Sequence, residues 1–168
     1  RAMTWLGEKE NAFFLGQAVG CPGTGMTTTL KSVPSNKLWE MPVAEDMQLG
    51  MSIGMALNGK VPISIFPRWN FFLLATNQLV NHLDKIPLMA SPSYTPKVII
   101  RVGIGSERPL HPQHQHIGDY TDAFKLMTTN INIIRLDEPE QIFDAYSTAY
   151  ESTKSSIIIE WGDYYSEK

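Results

Sequence analysis

Cysteine is almost missing from this chain. Cys21 stands alone, so no internal disulfide can form, and such usage fits a reduced, cytoplasmic protein. No apolar run reaches the roughly eighteen residues of a membrane-spanning helix, and no leader peptide opens the sequence. Basic excess is lacking too: the net charge of -3 gives no electrostatic footprint for nucleic acid. Phosphate-binding signatures are absent. Gly16, Gly20, Gly23 and Gly25 punctuate a turn without spelling a dinucleotide or Walker sequence, and Gly103-Ile104-Gly105 precedes no helix start. Metal has little support, because the cluster His111, Gln113, His114, Gln115 and His116 has no cysteine or carboxylate at ligand spacing. A histidine acting on substrate suits that loop better, since imidazole titrates near neutrality. Cys21, beside Pro22 and without a base partner, is expected to be a small packing residue.

What remains is the composition of a folded domain: 168 residues, 43% apolar and 18% charged, enough for one real core. Arg1-Ala2 ahead of Met3 read as a cloning remnant. Apolar runs bounded by turn residues predict strands at 12–19, 37–43, 61–66, 97–102, 131–136 and 156–161. Helices are expected from Glu45 to Gly59, over 119–127, and over 138–153 with Pro139 near its first position. Another should run from Asn70 to Lys85, capped by Asn70, with Phe71, Phe72, Ala75, Leu79 and Leu83 inward. Loops fill 87–96 and 103–118, and the residues after Trp161 form a polar surface tail. Strands alternating with helices predict an α/β protein, a three-layer α/β/α arrangement around a mostly parallel sheet. No repeat or second domain is visible, so residues 1–168 are taken as one domain. In such sheets ligands sit at the carboxyl ends of strands, where Glu45, residues 66–71 and residues 103–118 emerge.

The organising stretch runs from Met41 to Gly59. A strand hands over to a helix at Glu45, and the helix carries Gly50 and Gly54. Met41, Val43, Met47 and Leu49 surround the carboxylate, a setting that raises a carboxyl pKa. An acidic residue in a first helical turn also complements the helix dipole and needs no chemistry. Spacing alone leaves both readings open. The segment Pro67-Arg68-Trp69-Asn70-Phe71 is similarly double: aromatic packing at a helix start, or a flat apolar surface for a planar ring with Arg68 meeting an anion.

These residues, taken together, resemble the pyrimidine-binding domain of thiamine diphosphate enzymes. The similarity is greatest to β-subunits of 2-oxo acid dehydrogenases and extends to transketolase. It covers about Glu8 to Glu160. The frame Pro42, Glu45, Gly50 and Gly54 continues in register through Pro62-Ile63, Phe66, Asn70-Phe71, Gln78, Asn81, Lys85, Arg101 and Gln113-His114. The resemblance implies that Glu45 hydrogen-bonds the cofactor's aminopyrimidine ring, favouring the imino tautomer that deprotonates the thiazolium carbon. It also implies that Phe71 stacks on that ring, that Val43 lines the pocket with Trp69 nearby, and that His114 faces the substrate.

The family holds the cofactor's diphosphate and its Mg2+ through a Gly-Asp-Gly…Asn motif on another domain. Gly118-Asp119-Tyr120 and Gly162-Asp163-Tyr164 do not match it. A diphosphate-binding α-like partner subunit is therefore implied, usually as α2β2, with the cofactor across the interface. Two departures stand out: the chain ends where dehydrogenase β-subunits continue into a further domain, and the family's Gln-His-Ser-Gln is here Gln113-His114-Gln115-His116. The expected activity is cleavage or formation of the bond at the keto carbon of a 2-oxo acid or ketose. The alternative is a non-catalytic domain that keeps the fold for assembly or regulation.

Overall fold

The computed structural model describes residues 1–90, 94–105, 107 and 111–166. Parts of the loops expected at 87–96 and 103–118 and the last two residues of the expected tail therefore lie outside the described residues. Six strands form one sheet: β1 (Ala12–Gly16), β2 (Leu38–Glu40), β3 (Val61–Phe66), β4 (Ile99–Ile104), β5 (Asn132–Arg135) and β6 (Ser156–Trp161). The order is β2-β1-β3-β4-β6-β5 and every pairing is parallel. All six residues of β3 and of β4 are buried, as continuous apolar strands covered on both faces must be.

Helices α1 (Ala2–Gly7), α2 (Gly25–Thr28) and α7 (Gln141–Glu151) share one face, through Leu6, Met26, Tyr146 and Ala149 with Phe14, Ile63, Ile65, Ile99 and Ile158 of the strands. The other face is covered by α3 (Glu45–Leu57), α4 (Trp69–Phe72) and α6 (Thr121–Met127). Leu49, Ile53, Trp69, Phe72 and Phe124 pack there on Phe66, Ile100, Val102, Ile157 and Ile159. The three layers are those expected. Each fully buried side chain of this size contributes on the order of 1.5–3 kcal/mol.

Several boundaries differ, for local reasons. β1 stops at Gly16 instead of reaching Val19, because Ala18 takes a positive φ of 53°. A Cβ on Gly16 would lie 2.5 Å from the Ile65 carbonyl oxygen, so only glycine permits that approach to β3. After Met41, whose N–H still meets Gly16 O at 2.9 Å, Pro42 has no N–H to continue β2.

The expected helix 70–85 begins one residue early and changes winding twice. After α4 comes a 3₁₀ turn (Leu73–Ala75), then a π-helical turn (Gln78–Leu83), and the short helix α5 (Ile86–Met89). Arg68 occupies the cap position and makes no side-chain cap bond, so Asn70 is not the cap. Phe72, Ala75, Leu79 and Leu83 are buried as expected and Trp69 with them, while Phe71, also expected inward, is half-exposed.

The tail is a surface tail only in part, since Tyr164 is exposed while Tyr165 folds inward. A 3₁₀ turn, Gly162–Ser166, folds back so that the Tyr165 ring lies 3.1 Å from where a Cβ on Gly25 would sit. Among the described residues, no helix is long and apolar enough to cross a membrane.

Candidate functional site

Glu45 opens α3 with 4% exposure, just past the carboxyl end of β2. The turn that follows is pinned by Gln48, whose Nε2 donates to Ser64 Oγ at 3.1 Å and to Ile65 O at 3.0 Å. Those acceptors belong to β3, so an amide buried one turn away fixes where the carboxylate sits. Gln17, on the loop after β1, donates from Nε2 to Glu45 Oε1 at 3.2 Å. The surroundings are less apolar than expected. Met41 and Leu49 are buried, but Val43 is 79% and Met47 44% exposed. Glu45 is thus screened by a side-chain amide and the sheet, and Val43 lies on the open surface.

Phe71 is half-buried, with its ring centroid 5.3 Å from that of His116 and an interplanar angle of 52°. His116 belongs to a 3₁₀ turn, His114–His116, launched from Gln113 at a positive φ of 64°. Arg68 Nη1 donates to the His116 carbonyl at 3.0 Å, tying that turn to the start of α4. Partial burial lowers the Arg68 pKa, and the nearby Asp163 charge opposes the shift. Two buried polar atoms here have no hydrogen-bond partner: Asn70 Oδ1 and His116 Nδ1. Orphaned buried polar atoms are rare and call for an explanation such as a ligand or an ordered water.

Of the other expected site residues, Trp69 is turned into the core, and Val43 and His114 are exposed. Trp69 does not line the mouth: it is fully buried, stacks on Phe124 at 4.7 Å and 19°, and donates Nε1 to Asp119 Oδ1 at 3.2 Å. A buried indole packs where an acceptor can meet its N–H, and the Asp119 carboxylate supplies one. His114 is exposed, whereas His116 faces Phe71. Val43 is solvent-facing in this chain. Among the described residues, no three His, Cys, Asp or Glu side chains are placed to hold a metal ion. His111 Nε2 pairs with Glu107 at 3.3 Å.

A second polar centre escaped the sequence reading. Arg101 on β4 grips Glu160 on β6 from Nε at 3.1 Å and Nη2 at 2.7 Å, with both side chains buried. Tyr146 and Tyr165 donate their hydroxyls to the same carboxylate, and Arg101 Nη1 reaches Thr29 Oγ1 at 2.8 Å. Burial pushes the Glu160 carboxyl up, but the Arg101 charge and these hydrogen bonds hold it below its ordinary value. A charged residue inside each of two otherwise largely apolar strands was the available signal, since buried charges come paired.

The family described as "Transketolase, pyrimidine binding domain" matches residues 2–162. The pyruvate dehydrogenase E1 component subunit beta of Cyanidium caldarium is 30% identical over 112 residues, covering 65% of this chain and 34% of that protein. The same subunit from Mycoplasma genitalium is 27% identical over 159 residues, covering 92% and 48%. The chain thus spans between a third and a half of these curated relatives. A solved structure titled "Split gene transketolase, inactive beta4 tetramer" superposes with a TM-score of 0.60 over 96% of this chain and 49% of its own, at 15% identity. That likeness confirms the fold, and the match over 2–162 makes the chain a member of the transketolase pyrimidine-binding domain family.

Proposed function

We propose that this chain is the pyrimidine-domain, β-like subunit of a thiamine diphosphate-dependent enzyme that makes or breaks the bond at the keto carbon of a 2-oxo acid or ketose. The observation that carries the reading is the buried Glu45 carboxylate, held at the mouth of a parallel sheet within the Pro42, Glu45, Gly50, Gly54 frame. The residues fit the cofactor's ring. Phe71 offers a half-buried aromatic face, and Asn70 Oδ1 and His116 Nδ1, on its chain neighbour and its ring neighbour, are buried polar atoms awaiting partners. When bound, thiamine diphosphate supplies a nucleophilic carbon and an electron sink for carbanion chemistry.

With the cofactor bound, Glu45 would hydrogen-bond a nitrogen of the aminopyrimidine and hold or return a proton there. Its burial keeps water from competing for that bond. Gln17 fixes one carboxylate oxygen, which leaves the other to meet the ring. Phe71 orients the ring by stacking.

The half of the cofactor beyond the ring needs a partner. Val43, Met47, Met51 and Leu57 are exposed large apolar side chains on and before α3, and a Cβ on Gly54 would meet nothing within 4 Å. Such a bare strip with a glycine on it suits close packing against another subunit. That subunit is the α-like chain holding the diphosphate and Mg2+, in an α2β2 assembly. The names of the relatives, a dehydrogenase "subunit beta" and a "split gene transketolase", support a two-chain enzyme.

The test is Glu45→Gln in the chain purified with its co-eluting partner. Turnover should fall about 10²–10⁴-fold, the range for a removed acid–base group, while assembly survives. Unchanged turnover rejects the proposal and leaves the non-catalytic, assembly reading.

A further inference from the structure

We infer that Glu40 is a positioning residue for Glu45: its carboxylate gathers the loop after β1, and that loop carries the Gln17 amide that orients the Glu45 carboxylate. This rests on the function proposed above and adds a residue that acts on the cofactor only through others. Three observations lead to it. Glu40 accepts hydrogen bonds from four successive backbone N–H groups, of Ala18 at 2.7 Å, Val19 at 2.9 Å, Gly20 at 2.7 Å and Cys21 at 3.3 Å. The loop takes a strained path, because Ala18 sits at a positive φ of 53°. Gln17, the residue before it, donates Nε2 to Glu45 Oε1 at 3.2 Å.

Both carboxylates leave one strand end. Glu40 is the last residue of β2, in register with Gly16 of β1, and Glu45 opens the helix that follows. Past that pair the sheet no longer holds the loop. Among the described residues, no amide from Ala18 to Cys21 meets a backbone carbonyl. Glu40 replaces the missing ladder. Successive backbone N–H groups turned on one anion form a nest, and hydrogen bonds to an ionised acceptor are the strong ones. The Ala18 carbonyl is held as well, accepting from the Thr27 hydroxyl at 2.5 Å. A residue other than glycine keeps a positive φ only where its surroundings over-determine it, and here both of its peptide groups are fixed.

Glu45 needs two restraints. Its backbone is set by Gln48, which ties the first turn of α3 to β3. Its carboxylate can still rotate about the side-chain bonds, and the Gln17 amide selects one orientation. Gln17 is a long, half-buried side chain on a loop, so its amide points where the loop carries it. With the nest open, Ala18 relaxes to a common conformation and the Gln17 backbone moves with it. A shift of about 1 Å in a positioning contact costs up to about a hundredfold in rate, even when the change lies away from the chemistry.

The test is a double-mutant cycle of Glu40→Ala and Gln17→Ala in the chain with its partner, loaded with thiamine diphosphate and Mg2+. The readout is deuterium exchange at the thiazolium C2 of the bound cofactor, which needs no substrate. Each single variant should slow exchange about tenfold, the value of one hydrogen bond to a charged group, and the double variant about tenfold as well. A slowing of about a hundredfold in the double variant means that Glu40 acts independently of Gln17 and overturns the inference. A normal rate in either single variant overturns it too. In the same assembly without cofactor, backbone amide exchange of 17–21 should quicken in Glu40→Ala and stay near the parent's in Gln17→Ala. Unchanged exchange in Glu40→Ala removes the nest, and the inference with it. Glu40→Gln keeps an acceptor oxygen for the amides, so its C2 exchange should lie between those of the parent and Glu40→Ala. It also carries the cycle if the alanine variant does not assemble, and a glutamine variant slower than the alanine one overturns the inference. If Glu45→Gln slows C2 exchange while the cycle is additive, only this inference falls. If Glu45→Gln leaves that exchange normal, the proposed function falls first.

Discussion

Glu160 and Glu45 are buried to nearly the same degree, 5% and 4% exposed, and both sit toward the carboxyl end of the sheet. Their surroundings are opposite. Glu160 receives Arg101 in a fork and two tyrosine hydroxyls, while the side-chain bond to Glu45 comes from Gln17. A carboxylate whose lone pairs are filled from inside the protein has no capacity left for a ligand, and its work is architectural. A carboxylate left partly unfilled is poised for something else to complete it. Burial alone does not separate the two; the count of internal partners does.

The comparison breaks most visibly at Glu160. Glu160→Leu leaves the Arg101 guanidinium buried without its partner and should destabilise the chain by about 3–5 kcal/mol, read as a lower urea midpoint. The double variant Arg101→Met with Glu160→Leu should recover most of that loss, because the orphaned charge goes with it. Failure of the double variant to recover would mean that the hydrogen bonds, and not the charge, stabilise this region.

Acid should dissolve the same network. Burial pushes the carboxyls of Glu160, Asp119 and Glu40 up, but their partners leave all three below their ordinary values. For Asp119 those partners are Thr121, Trp69 and Arg135, and for Glu40 the amides of Ala18, Val19, Gly20 and Cys21. Depressed folded pKa values mean that the unfolded chain binds more protons. Their stabilisation is complete above the unfolded values, about 4, and is lost as pH falls through the folded ones. The urea midpoint should hold from neutral pH to about 5 and then drop. Glu160→Leu in the Arg101→Met background should show a shallower drop, and an equal slope would show that Glu160 does not contribute.

The fold was legible because its signals are local. Continuous apolar strands such as Val61–Phe66 and the strand-to-helix handover at Glu45 announce a parallel sheet without tertiary knowledge. The site was legible in part. Glu45 and Phe71 stand in a spaced frame, and the structure has the first buried and the second half-buried. Two of the other candidate residues lie outside their expected elements: Trp69, expected ahead of the helix, opens α4, and Val43, expected in a strand, follows the end of β2. The 3₁₀ and π turns after Phe72 shift the helix face by fractions of a turn, and Gln113 turns the loop with a positive φ. No periodicity records such angles. The Arg101–Glu160 pair was hidden because its partners are 59 residues apart and meet only when β4 and β6 pair.

Tyr165→Phe sharpens the comparison at smaller scale. It removes one hydrogen bond to the Glu160 carboxylate and should cost about 1.5–3 kcal/mol, the range for bonds to charged groups. Because Tyr165 also packs on Gly25, amide exchange should quicken in 162–166 and in α2, more than in α3. Uniform quickening would show that the turn is not a separate unit.

The smallest expected change in stability carries the opposite sign. Glu45→Leu removes a buried carboxylate that has a sparse set of partners and replaces it with an apolar side chain of similar volume. Gln17 is half-buried, so its released amide can turn toward water. Retaining the carboxylate costs desolvation that one amide bond returns only in part, so the variant should be as stable as the parent or more stable by about 1 kcal/mol. Turnover should vanish in the same protein. Stability gained where function is lost marks a site kept strained for its task. A loss comparable with that of Glu160→Leu would place Glu45 among the architectural carboxylates and remove the contrast between the two.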